Sequence, residues 1–178
     1  MKNIPAYSLL LILTISCNSN DFSDTERYFV TDKETYGIND NFEITVVVSP
    51  ENGEKKIRFL KNLNNLNISF SLKEEESVFS QELKRRFIEG PNITGDDSDY
   101  LDEFTISKTQ PFKKTFKGTI SETKQKIIFE IPELNIKDSI EKSELLKNST
   151  ITITGNCHTV YSGIEENFKS KDIKILIK

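Results

Sequence analysis

Apolar residues recur at every second position through most of the chain after Arg27, and this period constrains the fold more than any other feature. Successive side chains of a β-strand point to opposite faces, so such alternation is typical of strands with one buried face. The clearest runs carry these apolar residues: Phe42, Ile44, Val46 and Val48; Leu66, Ile68, Phe70 and Leu72; Ile127, Phe129 and Ile131; Ile151 and Ile153; Ile173, Ile175 and Ile177. With shorter runs at residues 28–30, 57–59 and 104–120, the pattern predicts about seven to nine strands.

Strands of this number, separated by turn residues such as Asn52 and Gly53, favour an all-β, mainly antiparallel fold, either a sandwich or a barrel. The pattern resembles the immunoglobulin-like β-sandwich, although the chain has no Trp to form that family's Cys-Trp-Cys core. Two stretches depart from the period of two. Residues 74–88 place Phe79, Leu83 and Phe87 four apart, which predicts a short amphipathic helix. Residues 134–146 are predicted as a helical crossover or an irregular loop.

The first 17 residues follow a different pattern. Lys2 lies in a short basic start, residues 6–15 are mostly apolar, and Ser16 and Cys17 follow. This order is typical of a secretory signal peptide, and the apolar run is too short for the roughly 20 residues that a spanning helix needs. The end of the run resembles the bacterial lipoprotein signal, in which a Leu lies three places before a cysteine. Here Thr14 holds that position, and Leu13 lies one place earlier.

The resemblance implies that the chain is cleaved after Ser16 and that Cys17 receives fatty acyl chains of the palmitate kind. Residues 1–16 would then be the signal peptide, 17–26 a lipidated cysteine with a flexible polar tether, and 27–178 a single β-sandwich domain. The partner that follows is membrane lipid, reached through Cys17, and the expected location is the cell envelope. Asn18 is not the Asp that retains some lipoproteins at the inner membrane, which favours the outer membrane. The alternative is an ordinary secretion signal with an incidental cysteine.

Charge limits the classes of partner. Removal of residues 1–16 takes away Lys2 and leaves 23 Lys and Arg against 28 Asp and Glu, a net charge of −5. Nucleic-acid binding draws on clustered positive charge, so no nucleic-acid partner is expected. A broad electrostatic attraction to anionic lipid is excluded on the same ground.

Cys157 and His158 are the pair that most suggests nucleophilic catalysis. Counted along the strand from Ile151, Cys157 falls on the apolar face and His158 on the polar face, so their side chains point apart. We therefore predict a buried structural thiol at Cys157 and no catalytic residue.

An acidic run spans residues 96–103 and holds five carboxylates. Asp97 and Asp99 have the first part of a calcium-loop spacing, but Leu101 stands where an oxygen ligand belongs, so a solvated loop is the first interpretation and a metal site the second. No cofactor is expected.

The connection of residues 73–103 is long for a compact domain, and long connections are often functional. We predict a non-enzymatic binding module whose protein or glycan partner is recognised by this loop. The predicted contact residues are Phe79, Phe87, Asp96, Asp97, Asp99 and Tyr100. Two alternatives remain open: a carbohydrate-directed hydrolase that uses two carboxylates of the same loop, and a purely structural envelope component.

Overall fold

A computed structural model describes residues 22, 24–63, 65–73, 100–145, 148–158 and 165–176. Twelve strands occur in these residues: β1 (Thr25–Thr31), β2 (Thr35–Gly37), β3 (Asn41–Pro50), β4 (Glu54–Leu60), β5 (Leu66–Leu72), β6 (Leu101–Ser107), β7 (Phe112–Glu122), β8 (Lys126–Ile131), β9 (Ile136–Glu141), β10 (Asn148–His158), β11 (Glu165–Asn167) and β12 (Lys171–Leu176). Three short 3₁₀ turns, Lys61–Leu63, Pro132–Leu134 and Lys142–Glu144, lie between them. The prediction of an all-β fold is confirmed, but its count of strands was too low.

The strands form two main sheets and a ribbon. The first sheet has the order β1-β3-β7-β8-β9, and every pair in it is antiparallel. The second sheet has the order β11-β10-β12-β2, with β5 on the other side of β10. Its single parallel pair joins β2 to β12. Strands β4 and β6 pair separately as a two-stranded antiparallel ribbon, called here the β4–β6 ribbon.

The core lies between the inner faces of the two sheets and contains most of the described apolar residues of the alternating pattern. The Phe70 ring of the second sheet stacks on Phe129 of the first at 4.6 Å and meets Phe42 edge-on at 5.7 Å between ring centroids. Because side chains alternate between the two faces of a strand, every second residue points toward the other sheet, and the packed inner faces exclude water. The architecture is therefore sandwich-like.

The prediction of a helix or irregular loop over residues 134–146 was wrong at its centre, because strand β9 occupies Ile136–Glu141. Ile136 and Ile140 point inward on alternate positions, opposite Ile131 and Ile127 of β8. Asp138 takes the inward position between them and interrupts the apolar alternation in the sequence. Its Oδ2 accepts a hydrogen bond from the backbone N–H of Phe70 at 2.9 Å, so the carboxylate satisfies a backbone donor of β5. The helix predicted at residues 74–88 lies outside the described residues.

The boundary of the folded domain also differs from the prediction. A flexible tether was expected over residues 17–26, yet β1 begins at Thr25 and the Phe22 side chain is fully buried. The Phe22 ring packs 5.2 Å from that of Phe59 in β4. The chain is held further by the N–H of Glu51, which donates to the carbonyl of Asp24 at 2.8 Å. The folded domain thus includes Phe22, because one large apolar side chain in a polar stretch finds a place in the core.

Candidate functional site

Most of the residues singled out in the sequence lie outside the described part of the chain. These are Cys17, Phe79, Phe87, Asp96, Asp97 and Asp99. Of the predicted interaction loop, Tyr100 is described, and its side chain is 55 % exposed. The fold therefore places Tyr100 at the surface, where β6 begins.

The end of the acidic run lies in strand β6. Glu103 faces Arg58 across the β4–β6 ribbon and accepts hydrogen bonds from Lys56 Nζ at 3.0 Å and Arg58 Nε at 2.8 Å. These two hydrogen bonds lower the pKa of Glu103 below its ordinary value. A general acid must hold a proton near neutral pH, and a carboxylate so arranged does not. Glu103 acts instead in a cross-strand ion-pair cluster on an exposed face.

The structure forms a polar groove that the sequence did not indicate. It encloses about 310 Å³ and is lined by Glu34, Lys73, Thr150, Asp172, Ile173 and Lys174. Among these residues, Asp172 pairs through its Oδ2 with Lys73 Nζ at 2.6 Å, and its Oδ1 accepts a hydrogen bond from Thr152 Oγ1 at 2.8 Å. The hydrogen bond from Lys73 is the largest influence on the pKa of Asp172. Together with Thr152 it lowers that pKa, although partial burial acts in the opposite direction.

Strands distant in sequence assemble this groove. The backbone N–H of Lys174 donates to the carbonyl of Glu34 at 2.8 Å, where β2 runs parallel to β12. The N–H of Lys73 donates to the carbonyl of Thr150 at 3.0 Å, just beyond the last residue of β5. No local sequence motif predicts the groove, because the residues that line it come from four separate parts of the chain. The groove offers ammonium groups, carboxylates and hydroxyls, which suits binding of a polar group better than proton transfer.

Cys157 is confirmed as a buried thiol. Its side chain is fully buried between the sheets, and burial raises its pKa to about 12. Since the thiolate is the nucleophilic form, a thiol with this pKa is inert near neutral pH. His158 ends strand β10, and its side chain lies outside the described residues.

Beside Cys157, a partly buried ion pair fixes the start of β1. Arg27 Nη2 lies 3.1 Å from Glu166 Oε2, and the two side chains are 17 % and 19 % exposed. The same guanidinium donates to the carbonyl of Asn167 at 3.0 Å and to the carbonyl of Phe22. Arg27 thus joins the first buried residue of the domain to strand β11.

Neither a metal-binding cluster nor a membrane-spanning helix occurs in the described ranges. Among those residues, His, Cys, Asp and Glu side chains form no group of three or more that could hold a metal ion. The expectation about Asp97 and Asp99 falls on residues that are not described. The described part of the chain contains no helix with the length and apolar character needed to cross a bilayer.

Comparisons of this chain with models of protein families, with curated proteins and with solved structures find no match.

Proposed function

We propose that this protein is an envelope lipoprotein whose β-sandwich domain is a binding module held at a membrane by acyl chains on Cys17. One observation carries the proposal: a cysteine stands where a short apolar leader ends, five residues before the first buried residue of the domain, Phe22. The thiolate is a strong nucleophile among side chains, which suits that position to acylation. Two or three acyl chains, at about 0.8 kcal/mol per buried CH₂, give stable anchoring where a single chain does not.

The binding role is supported by where the polar groove lies. β1 starts beside Pro50, at the end of the sandwich that carries Phe22. Glu34 follows the other end of β1, so the groove opens away from the anchored terminus. Lys73 lines the groove and is the first residue of the predicted interaction loop of residues 73–103. An anchored domain of this kind would present the groove, with Lys73 in its lining, to the surroundings.

Phase partitioning of whole cells in a detergent that separates on warming tests the anchor. Cys17→Ser should move the protein from the detergent phase to the aqueous phase. Cys157→Ala is the matched control, because it removes the other thiol and should leave partitioning unchanged. Equal partitioning of wild type and Cys17→Ser would count against the lipoprotein proposal.

Cross-linking to partners in intact envelopes tests the binding role. Residues 74–99 should be replaced by a Gly-Ser linker of at least ten residues, long enough for Lys73 after β5 and Tyr100 before β6 to keep their positions. The replacement must stop before Leu101, because β6 begins there. The binding module is supported if the replacement abolishes cross-linking to a specific partner and a control variant, Lys124→Ala at an exposed turn, still cross-links to it. A partner set unchanged by the replacement supports the structural alternative, and a hydrolytic activity lost with it supports the hydrolase.

Two finer expectations belong to the same proposal. Asn18 after the cysteine supports placement in the outer membrane. The immunoglobulin-like likeness is supported by two packed sheets of mainly antiparallel strands. The consecutive strands β7, β8 and β9 in one sheet depart from that family's arrangement of ABED and CFG strands.

A further inference from the structure

The N-terminal end of the domain is held in one place. Phe22 is fully buried against Phe59, and its carbonyl accepts hydrogen bonds from Arg27 and, at 2.5 Å, from the hydroxyl of Thr25. Phe59 belongs to the β4–β6 ribbon, and its ring also lies 4.8 Å from that of Phe112 at the start of β7. The chain therefore enters the fold beneath the ribbon and at a fixed point.

The distance from this point to Cys17 is short. Five Cα steps separate the two residues, which span at most about 18 Å even when fully extended. Strand β3, which runs the length of the sandwich, has ten residues and is about 30 Å long at roughly 3.3 Å per residue. A link shorter than the domain cannot let the domain turn end over end at a membrane surface.

We propose that the domain sits on the membrane in one orientation, with the β4–β6 ribbon and the turn at Asn52 facing the lipid headgroups and the polar groove facing away. The inference rests on the proposed lipidation of Cys17. It adds the surface that meets the lipid, and it assigns the groove to the membrane-distal end.

The orientation comes from the short link rather than from electrostatic attraction. The exposed face of the ribbon carries charges of both signs, since Glu103 pairs with Lys56 and Arg58. A surface of mixed charge gains little from anionic lipid. The same orientation is therefore expected on neutral and on anionic bilayers.

Single-tryptophan variants test the orientation, because the chain contains no Trp of its own. Asn52→Trp marks the turn beside the ribbon, where Glu51 hydrogen-bonds to Asp24, and Lys124→Trp marks the turn between β7 and β8 at the opposite end. Energy transfer to dansyl-labelled headgroups gives the height of each label above phosphatidylcholine vesicles, with and without phosphatidylserine. Two preparations are compared: the natively processed protein, and chain 17–178 joined at Cys17 to a maleimide lipid. In the second preparation, the buried Cys157 thiol does not compete with Cys17 for the maleimide lipid.

The expected result is that the label at position 124 lies roughly 20–30 Å higher than the label at position 52, as the length of β3 requires. A ten-residue Gly-Ser spacer after Ser19 raises the maximal reach to about 50 Å and should remove most of this difference. Equal heights without the spacer, or an undiminished difference with it, would overturn the inference. If native protein lacks lipid while the maleimide-linked chain shows the difference, the proposed function fails, and the orientation holds only for the chain that carries lipid on Cys17.

Discussion

Truncation of the Phe22 side chain probes the contact that fixes the N-terminal end of the domain. Burial of a Phe side chain contributes about 1.5–3 kcal/mol, and its aromatic pair with Phe59 adds about 0.5–1.5 kcal/mol. A Phe→Ala change inside a closed core costs about 3–5 kcal/mol, but here the chain end can leave its site and recover about 1–2 kcal/mol of backbone entropy per released residue. We therefore expect Phe22→Ala to lower the free energy of unfolding by about 2 kcal/mol.

Urea unfolding of the mature chain, followed by far-UV circular dichroism, measures this change. The midpoint should fall with an unchanged slope, and Tm should fall by roughly 4–8 °C for a domain of this size. Phe22→Leu is the matched control, because it keeps most of the apolar area and should cost less than about 1.5 kcal/mol. A stability of Phe22→Ala within about 0.5 kcal/mol of wild type, the range of surface substitutions, would refute the packing of Phe22 and extend the tether to the start of β1.

Three other predictions follow from the packing and the pKa values. At Gly118, an added Cβ would lie 2.7 Å from the Glu130 carbonyl and closer still to the Phe42 ring, so Gly118→Ala should lower the unfolding free energy by about 1–3 kcal/mol. The control, Gly53→Asn, lies at an open turn with positive φ and should lower it much less. Equal urea midpoints for the two variants would contradict this prediction. Cys157 should resist thiol reagents in the native protein at pH 8 and react fully in urea. Because the pKa of Cys157 rises from 9.0 to about 12 on folding, the stability that its neutral form contributes should be intact below pH 9 and decline from pH 9 toward 12. Cys157→Ala should lessen this decline. Rapid labelling of the native protein would instead show that the thiol is exposed. Tyr36→Phe removes a hydroxyl that donates to Asp32 at 2.7 Å and should cost about 1 kcal/mol at pH 7. Burial opposes ionisation of Asp32, but hydrogen bonds from the Glu43 N–H and Tyr36 outweigh it and lower the pKa of Asp32 below 3.8. The difference in unfolding free energy between Tyr36→Phe and wild type should therefore shrink as pH falls below about 4. A stability difference that does not depend on pH would contradict the hydrogen bond.

The apolar alternation was sufficient to predict the strands that line the core. Ile44 and Val46 of β3, Ile127 and Phe129 of β8, and Ile173 of β12 all face inward as their spacing indicates. The period of two follows from backbone geometry, so it can be read locally. The burial of Cys157 was predicted by the same count along β10.

What could not be predicted depends on contacts between distant parts of the chain. Strand β9 was missed because Asp138 takes an inward position, and its hydrogen bond to Phe70 N spans 68 residues. Strands β2 and β11 have three residues each, too few to show a period. The groove needs Lys73 and Asp172 to meet across 99 residues, and no local spacing encodes that pairing. Phe22 was assigned to a tether because its polar neighbours outweighed it.

The chemistry of Cys17 tests the central claim most directly. Mass spectrometry of the protein purified from envelopes should identify a mature chain that begins at Cys17, with a mass increased by a thioether-linked diacylglycerol and with Ser16 absent. An N-acyl chain would add a further increment to the same residue. A mature chain that carries an unmodified Cys17, or that begins at another residue, would contradict the account.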